Sequence, residues 1–129
     1  MNIFARKFAT TLKGGEILAL IGELGAGKTV FTKGLAQGLG ISGIVSSPTF
    51  LLMKCYKGKM SLCHVDAYRV DSPAELEYVG IGEYFGKKDA ILVVEWADKV
   101  PELFEGKKHI KIYFKHGKKE GEREVEIKK

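Results

Sequence analysis

Cysteine is scarce in this chain of 129 residues, which has only Cys55 and Cys63. A chain of this length buries roughly two thirds of the surface that its unfolded form exposes, so its core needs no disulfide framework. The two cysteines flank a hairpin turn at Lys57-Gly58-Lys59, and the register that would decide whether they share a sheet face is not fixed by the sequence. For a reducing compartment they are expected as buried free thiols. Long apolar runs are absent as well, since none approaches the roughly 20 residues that cross a bilayer. The N-terminal stretch MNIFARKFATTLKGGE has no apolar core of about 7 to 15 residues followed by a cleavage site, so no secretory leader is expected. The expected location is the cytoplasm, without membrane association. With three prolines, no Pro/Ser-rich linker and no internal repeat, residues 1–129 are expected to form a single domain. Arginine is confined to Arg6, Arg69 and Arg123.

The composition that remains, 45% hydrophobic and 29% charged, excludes disorder, collagen and coiled coil. The net charge of +5 is unevenly placed. Residues 1–106 hold twelve basic and twelve acidic side chains, whereas residues 107–129 hold nine and four. The whole imbalance is therefore C-terminal, and two readings stand side by side: a solvated face, or a surface that meets RNA or an acidic partner.

Along the chain, IFARKFATTL spaces Ile3, Phe4, Phe8 and Leu12 as on one face of a helix, which Gly14-Gly15 then stop. EILALIG is a short apolar run of the kind found in a parallel strand covered on both faces. Residues 29–39 follow as a helix with Val30, Phe31, Leu35 and Leu39 on one side and Gly40 beyond its end. Residues 50–56 and 60–65 read as the two strands of a hairpin. Ser72-Pro73-Ala74-Glu75 is a helix start with a capping box, and the helix is expected to run to about Val79. AILVVEW is a second covered strand, with Glu95 and Trp96 at its end. HIKIYFKH and REVEIK alternate apolar and polar residues around GKKEG, as in an antiparallel hairpin with one wet face.

Gly22-Glu23-Leu24-Gly25-Ala26-Gly27-Lys28-Thr29 satisfies the phosphate-loop pattern G-x-x-x-x-G-K-[ST] at every required position. Glycines let the backbone turn its N–H groups toward phosphates, the lysine neutralises the β and γ phosphates, and the threonine hydroxyl ligates magnesium. The flanks agree, because a covered strand enters the loop and a helix leaves it. Lys28 is expected to lie exposed in the loop rather than in the core. A second acid should stand at the end of an apolar strand to hold the magnesium, and Glu95 fits, where aspartate is more usual. Trp96 reads equally as a neighbour of the nucleotide or as a core aromatic.

In His64-Val65-Asp66-Ala67-Tyr68-Arg69, alternation puts His64, Asp66 and Tyr68 on one face. Asp66 is either an acid that orients water or magnesium, or part of a surface turn. His64, His109 and His116 lack zinc-ligand spacing with either cysteine, so the implied metal is oxygen-ligated magnesium. The fold that follows is α/β: a P-loop NTPase fold, with a mixed sheet, flanking helices and antiparallel strands in the second half.

GELGAGKT, SSPTF at 46–50, HVDAYR at 64–69, PAELEYVGIGEYF and VVEW at 93–96 together resemble the bacterial TsaE (YjeE) family across nearly the whole chain. The resemblance implies a small ATPase that uses ATP and Mg2+ in threonylcarbamoyl modification of an adenosine in tRNAs reading codons that begin with A. It implies TsaD-like and TsaB-like partner proteins, with the ATPase resetting the complex between turnovers, and contact with tRNA either indirect or through the basic C-terminal hairpin. Carried over by position, Thr29 and Glu95 become the magnesium ligands, Lys28 the phosphate cation and Asp66 the essential acid. Thr49 falls where a switch-like loop would sense the γ-phosphate. Family members also carry more chain before the first helix, including a nucleotide-contacting segment, which leaves room here for a weaker hold on adenine.

Two other classes compete. A small-molecule kinase would add an arginine-bearing lid, which three arginines cannot build. A noncatalytic RNA-binding module would use the basic hairpin, lose affinity steeply with salt and ignore Lys28→Ala. No N-K-x-D motif specifies guanine, which favours ATP.

Overall fold

The computed structural model describes residues 2–22, 27–41, 53–58, 60–68, 70–78, 80–116 and 123–128. Helix α1 (Asn2–Ala9) leads into strand β1 (Ile17–Gly22), and helix α2 (Lys28–Gly38) follows the phosphate-loop sequence. Strands β2 (Met53–Tyr56) and β3 (Ser61–Asp66) come next, then the short helix α3 (Pro73–Tyr78) and strand β4 (Ala90–Glu95). Strands β5 (Ile110–His116) and β6 (Arg123–Lys128) close the chain, and single 3-10 turns at Ile81–Tyr84, Ala97–Lys99 and Pro101–Phe104 fill the connections.

The six strands form one sheet in the order β2-β3-β4-β1-β5-β6. Its four central strands, β3, β4, β1 and β5, run parallel, and β2 and β6 add to the edges antiparallel. All six residues of β4 are buried, the apolar ones as a run between two covered faces requires, and Glu95 at its end with them. This is the mixed α/β sheet of a P-loop NTPase fold.

One face of the sheet carries α1 and α2, packed over Leu18, Leu20, Leu62, Ile91, Val93, Ile112 and Phe114. Phe31 is the centre of this layer, with ring centroids 6.0 Å from Phe8 and 5.4 Å from Phe114. The other face, with Ala19, Val65, Leu92 and Val94, is covered by Leu76, Ile81, Val100, Leu103 and Phe104 from α3 and the 3-10 turns. Among the described residues no helix is long and apolar enough to cross a membrane.

Two readings of the sequence change. The buried side of α1 is Ala5, Phe8, Ala9 and then Leu12, whereas Ile3 is 63% exposed and Phe4 40%. Small residues meet α2 because the two helices lie close together, and the larger Ile3 and Phe4 turn outward. The cysteines are not free thiols: β2 and β3 pair with Cys55 directly opposite Cys63, and the two are joined as a disulfide. Cys63 faces the core and Cys55 is exposed.

The hairpin β5–β6 has the expected wet face, and its strands keep a basic surplus, with Lys111, Lys115, Arg123 and Lys128 against Glu124 and Glu126. Lys115 stands opposite Glu124, Tyr113 opposite Glu126 and Lys111 opposite Lys128. The turn 117–122 lies outside the described residues.

Candidate active site

The C-terminal ends of parallel strands are where open α/β sheets bind ligands, and here Gly22 ends β1, Asp66 ends β3 and Glu95 ends β4. Asp66 and Glu95 are register partners, as are Leu20 and Glu95, so the three strand ends lie side by side. Two glycines shape the approach to α2. A Cβ on Gly22 would fall 2.5 Å from the Phe114 carbonyl oxygen, so β5 runs too close for any side chain there. Gly27 has φ 103 at the N-cap, a left-handed conformation that glycine adopts without strain, and α2 starts from it. Glu23, Leu24, Gly25, Ala26, Thr49 and Arg69 lie outside the described residues.

Lys28 is not exposed in the loop. It is 5% accessible, its ammonium donates to the Gly22 carbonyl, and it sits 3.3 Å from the centroid of the Trp96 ring. Burial holds its pKa below the ordinary lysine value, against the opposing pull of the negative charges of Glu95, Asp98 and Asp66. Trp96 lies over the ammonium. Its φ of 58 makes it the only described non-glycine residue in the left-handed region, a conformation that costs about 1–3 kcal/mol and collects at functional sites. That turn brings its indole over the lysine, so Trp96 belongs to the site.

Glu95 is 3% exposed and His64 fully buried. Glu95 Oε2 accepts from His64 Nε2, while Oε1 stands 3.5 Å from the Thr29 hydroxyl oxygen. A hydroxyl and a carboxylate are the hard oxygen donors that magnesium takes, so these two side chains would suit that ion. Among the described residues no group of three or more His, Cys, Asp and Glu gathers as for a metal held by protein alone. Magnesium here would therefore complete its shell with phosphate and water.

Asp66 makes the contact expected of a turn residue, and its charge reaches the site. Its Oδ1 accepts the Tyr68 backbone N–H at 2.9 Å, as in a turn, and its charge still acts on Lys28. Tyr68 lies beyond the end of β3, and its ring meets Trp96 at 5.0 Å between centroids. Lys99 closes this wall, donating to the Tyr68 carbonyl at 2.7 Å with its ammonium 4.4 Å from the Tyr68 ring centre.

Residues 1–125 match the family described as "Threonylcarbamoyl adenosine biosynthesis protein TsaE". The chain belongs to the TsaE family. It is 48% identical over 99 residues to a protein of Bacillus subtilis named tRNA threonylcarbamoyladenosine biosynthesis protein TsaE, covering 76% of this chain and 61% of that one. Proteins of the same name from Haemophilus influenzae and Aquifex aeolicus are 44% and 38% identical, over 74% and 86% of this chain and 64% and 86% of theirs. The chain thus spans less than two thirds of the length of the first two of these relatives. The crystal structure of Bacillus subtilis YdiB superposes with a TM-score of 0.75 at 37% identity, covering 96% of this chain and 74% of that one.

In this TsaE chain the sequence located Lys28, Thr29, Asp66 and Glu95, and the fold brings all four to one end of the sheet. It did not pair His64 with Glu95, because that contact crosses from β3 to β4. Nor did it place Asp98 and Lys99, whose only signal was nearness to VVEW.

Proposed function

We propose that this chain binds and hydrolyses ATP with Mg2+ as a component of the tRNA threonylcarbamoyladenosine machinery, acting with TsaD-like and TsaB-like proteins. One observation carries the reading: at the strand end that opens α2, the Thr29 hydroxyl and the Glu95 carboxylate face each other beside the Lys28 ammonium. Family membership supplies the pathway.

In this reading the backbone N–H groups of residues 22–29 and the start of α2 cradle the phosphates, and Lys28 leaves Gly22 and Trp96 to neutralise the β and γ oxygens. Thr29 and Glu95 would hold magnesium, and that ion would supply positive charge against the negative charge of the phosphoryl oxygens. Asp66 orients the attacking water. The bond from phosphorus to the bridging oxygen of ADP breaks as the water oxygen bonds to phosphorus, and the water proton passes to solvent or phosphate. Thr49 senses the γ-phosphate. Contact with tRNA is indirect or through the C-terminal hairpin, and the location is the cytoplasm.

An arginine near the transferring group is worth about 10³ to 10⁵ in rate; Arg6 stands exposed on α1 and Arg123 opens the edge strand β6, which leaves Arg69, whose place in the sequence alternates away from Asp66. Hydrolysis by the chain alone is therefore slow, and partners speed it by completing the site. The test is single-turnover ATP hydrolysis by the chain alone, then with both partner proteins and tRNA. Slow turnover that rises in the assembly is expected. Fast turnover indifferent to partners would sink the assembly role, and no turnover in either setting would sink the ATPase.

A further inference from the structure

The histidine that ends up completely buried beside the strand ends has no role in the chemistry above. We propose that His64 is a positioning residue: by holding one oxygen of Glu95, it fixes the other toward Thr29 and so sets the affinity of the site for its divalent cation. The inference rests on the reading that Thr29 and Glu95 hold that cation.

Alternation on β3 and β4 puts Leu62 and His64 on the same sheet face as Val93 and Glu95, under α2. In register His64 stands opposite Val93 and Asp66 opposite Glu95, so the Glu95 side chain leans back along the strand to reach the ring. A carboxylate with 3% exposure needs a hydrogen-bond donor within the protein. His64 Nε2 supplies it at Oε2, and Oε1 is left facing the Thr29 hydroxyl. Glutamate has one more rotatable bond than the aspartate usual at such a strand end, and pinning one oxygen removes that freedom before any cation arrives.

The ring itself has no second anchor, because His64 Nδ1 is buried without a hydrogen-bond partner. Nε2 carries the proton in this arrangement, and Nδ1 is left as a bare acceptor, which is cheaper to bury than an unpaired N–H. A histidine kept only for packing would be replaceable by leucine at no polar cost. Keeping an imidazole with one unsatisfied nitrogen at full burial makes sense if the other nitrogen is needed where it points. Hydrogen-bond partners of metal-binding carboxylates typically account for about 10- to 100-fold in metal affinity.

The experiment measures Mn2+ affinity by electron paramagnetic resonance on the full chain with ADP bound, and ADP affinity separately in excess chelator. Glu95→Gln, His64→Leu, His64→Asn and His64→Gln are compared after thermal melts verify folding. The glutamine amide reaches about as far as Nε2, whereas the asparagine amide stops short. His64→Leu and His64→Asn are expected to lose about 10- to 100-fold in Mn2+ affinity with metal-free ADP binding unchanged, and His64→Gln to recover most of it. Should the leucine variant fail to fold, the asparagine variant decides. Unchanged Mn2+ affinity in His64→Asn, or a loss in folded His64→Gln as large as in His64→Asn, overturns the positioning role. If Glu95→Gln also binds Mn2+ like the unmodified chain, the cation reading fails and takes the role of His64 with it; a loss in Glu95→Gln alone refutes only His64.

Discussion

The Lys28 ammonium rests against the face of Trp96, 3.3 Å from the ring centre, with its hydrogen bond on the Gly22 carbonyl. Such a contact is worth about 0.5–2 kcal/mol, less than a phosphate group offers the same charge. Nucleotide should therefore draw the lysine off the ring. Because Trp96 is the single tryptophan, its emission reports the move directly. Adding ADP is expected to change the emission of the unmodified chain. Lys28→Met should begin with an altered signal, show no further response and bind ADP far more weakly. A response of equal size in that variant would mean that the ring reads something other than the lysine.

The same lysine gives a pH prediction. Its pKa is lowered by burial, so folding favours the neutral amine relative to the unfolded chain. For a group depressed on folding, the stabilising contribution is full above the ordinary lysine value and is lost as pH falls through the lowered one. At neutral pH the nucleotide-free fold thus carries a cost at Lys28. Thermal melts are expected to show Lys28→Met no less stable than the unmodified chain at neutral pH, and without the alkaline rise that Lys28 contributes. ADP affinity should decline as pH climbs through the lowered pKa, since the phosphates need the charged amine. A Lys28→Met chain that melts well below the unmodified one would show that the Gly22 and Trp96 contacts outweigh burial.

Phe31 is fully buried between α1 and the sheet, against Phe4, Phe8 and Phe114. Truncation to alanine removes these contacts and leaves a cavity, so Phe31→Ala is expected to cost about 3–5 kcal/mol in urea unfolding. A loss under about 1 kcal/mol would mean that the two helices collapse onto the space.

What the sequence disclosed was whatever depends on one strand or one helix. The strands β1 and β4 were readable because a run without charges has to be covered on both faces, and Glu95 followed as the acid at the end of such a run. On α1 a hydrophobic pattern ranks Ile3 and Phe4 above Ala5 and Ala9, while close helix packing selects the small residues for the buried side. Cys55 and Cys63 needed the register of β2 on β3, which apolar alternation leaves open. Nothing local in the sequence announces that Trp96 will adopt a left-handed turn and cover Lys28. His64 alternates visibly with Asp66, yet its partner lies 31 residues away on a neighbouring strand.

Asp66 offers the test that separates a site acid from a turn residue. One oxygen already accepts the Tyr68 N–H, so alanine would remove the turn's acceptor and the charge together. Asparagine keeps an oxygen in that place and removes only the charge. If the charge is what matters at the γ-phosphate, Asp66→Asn should melt like the unmodified chain and lose turnover in the presence of the partner proteins. Asp66→Ala should lose turnover and also about 1 kcal/mol of stability, the usual worth of one hydrogen bond. The decisive comparison is turnover of Asp66→Asn against its melting temperature. Normal turnover in a normally folded asparagine variant would leave Asp66 as a turn residue alone, and the attacking water would have to be oriented by another group at these strand ends.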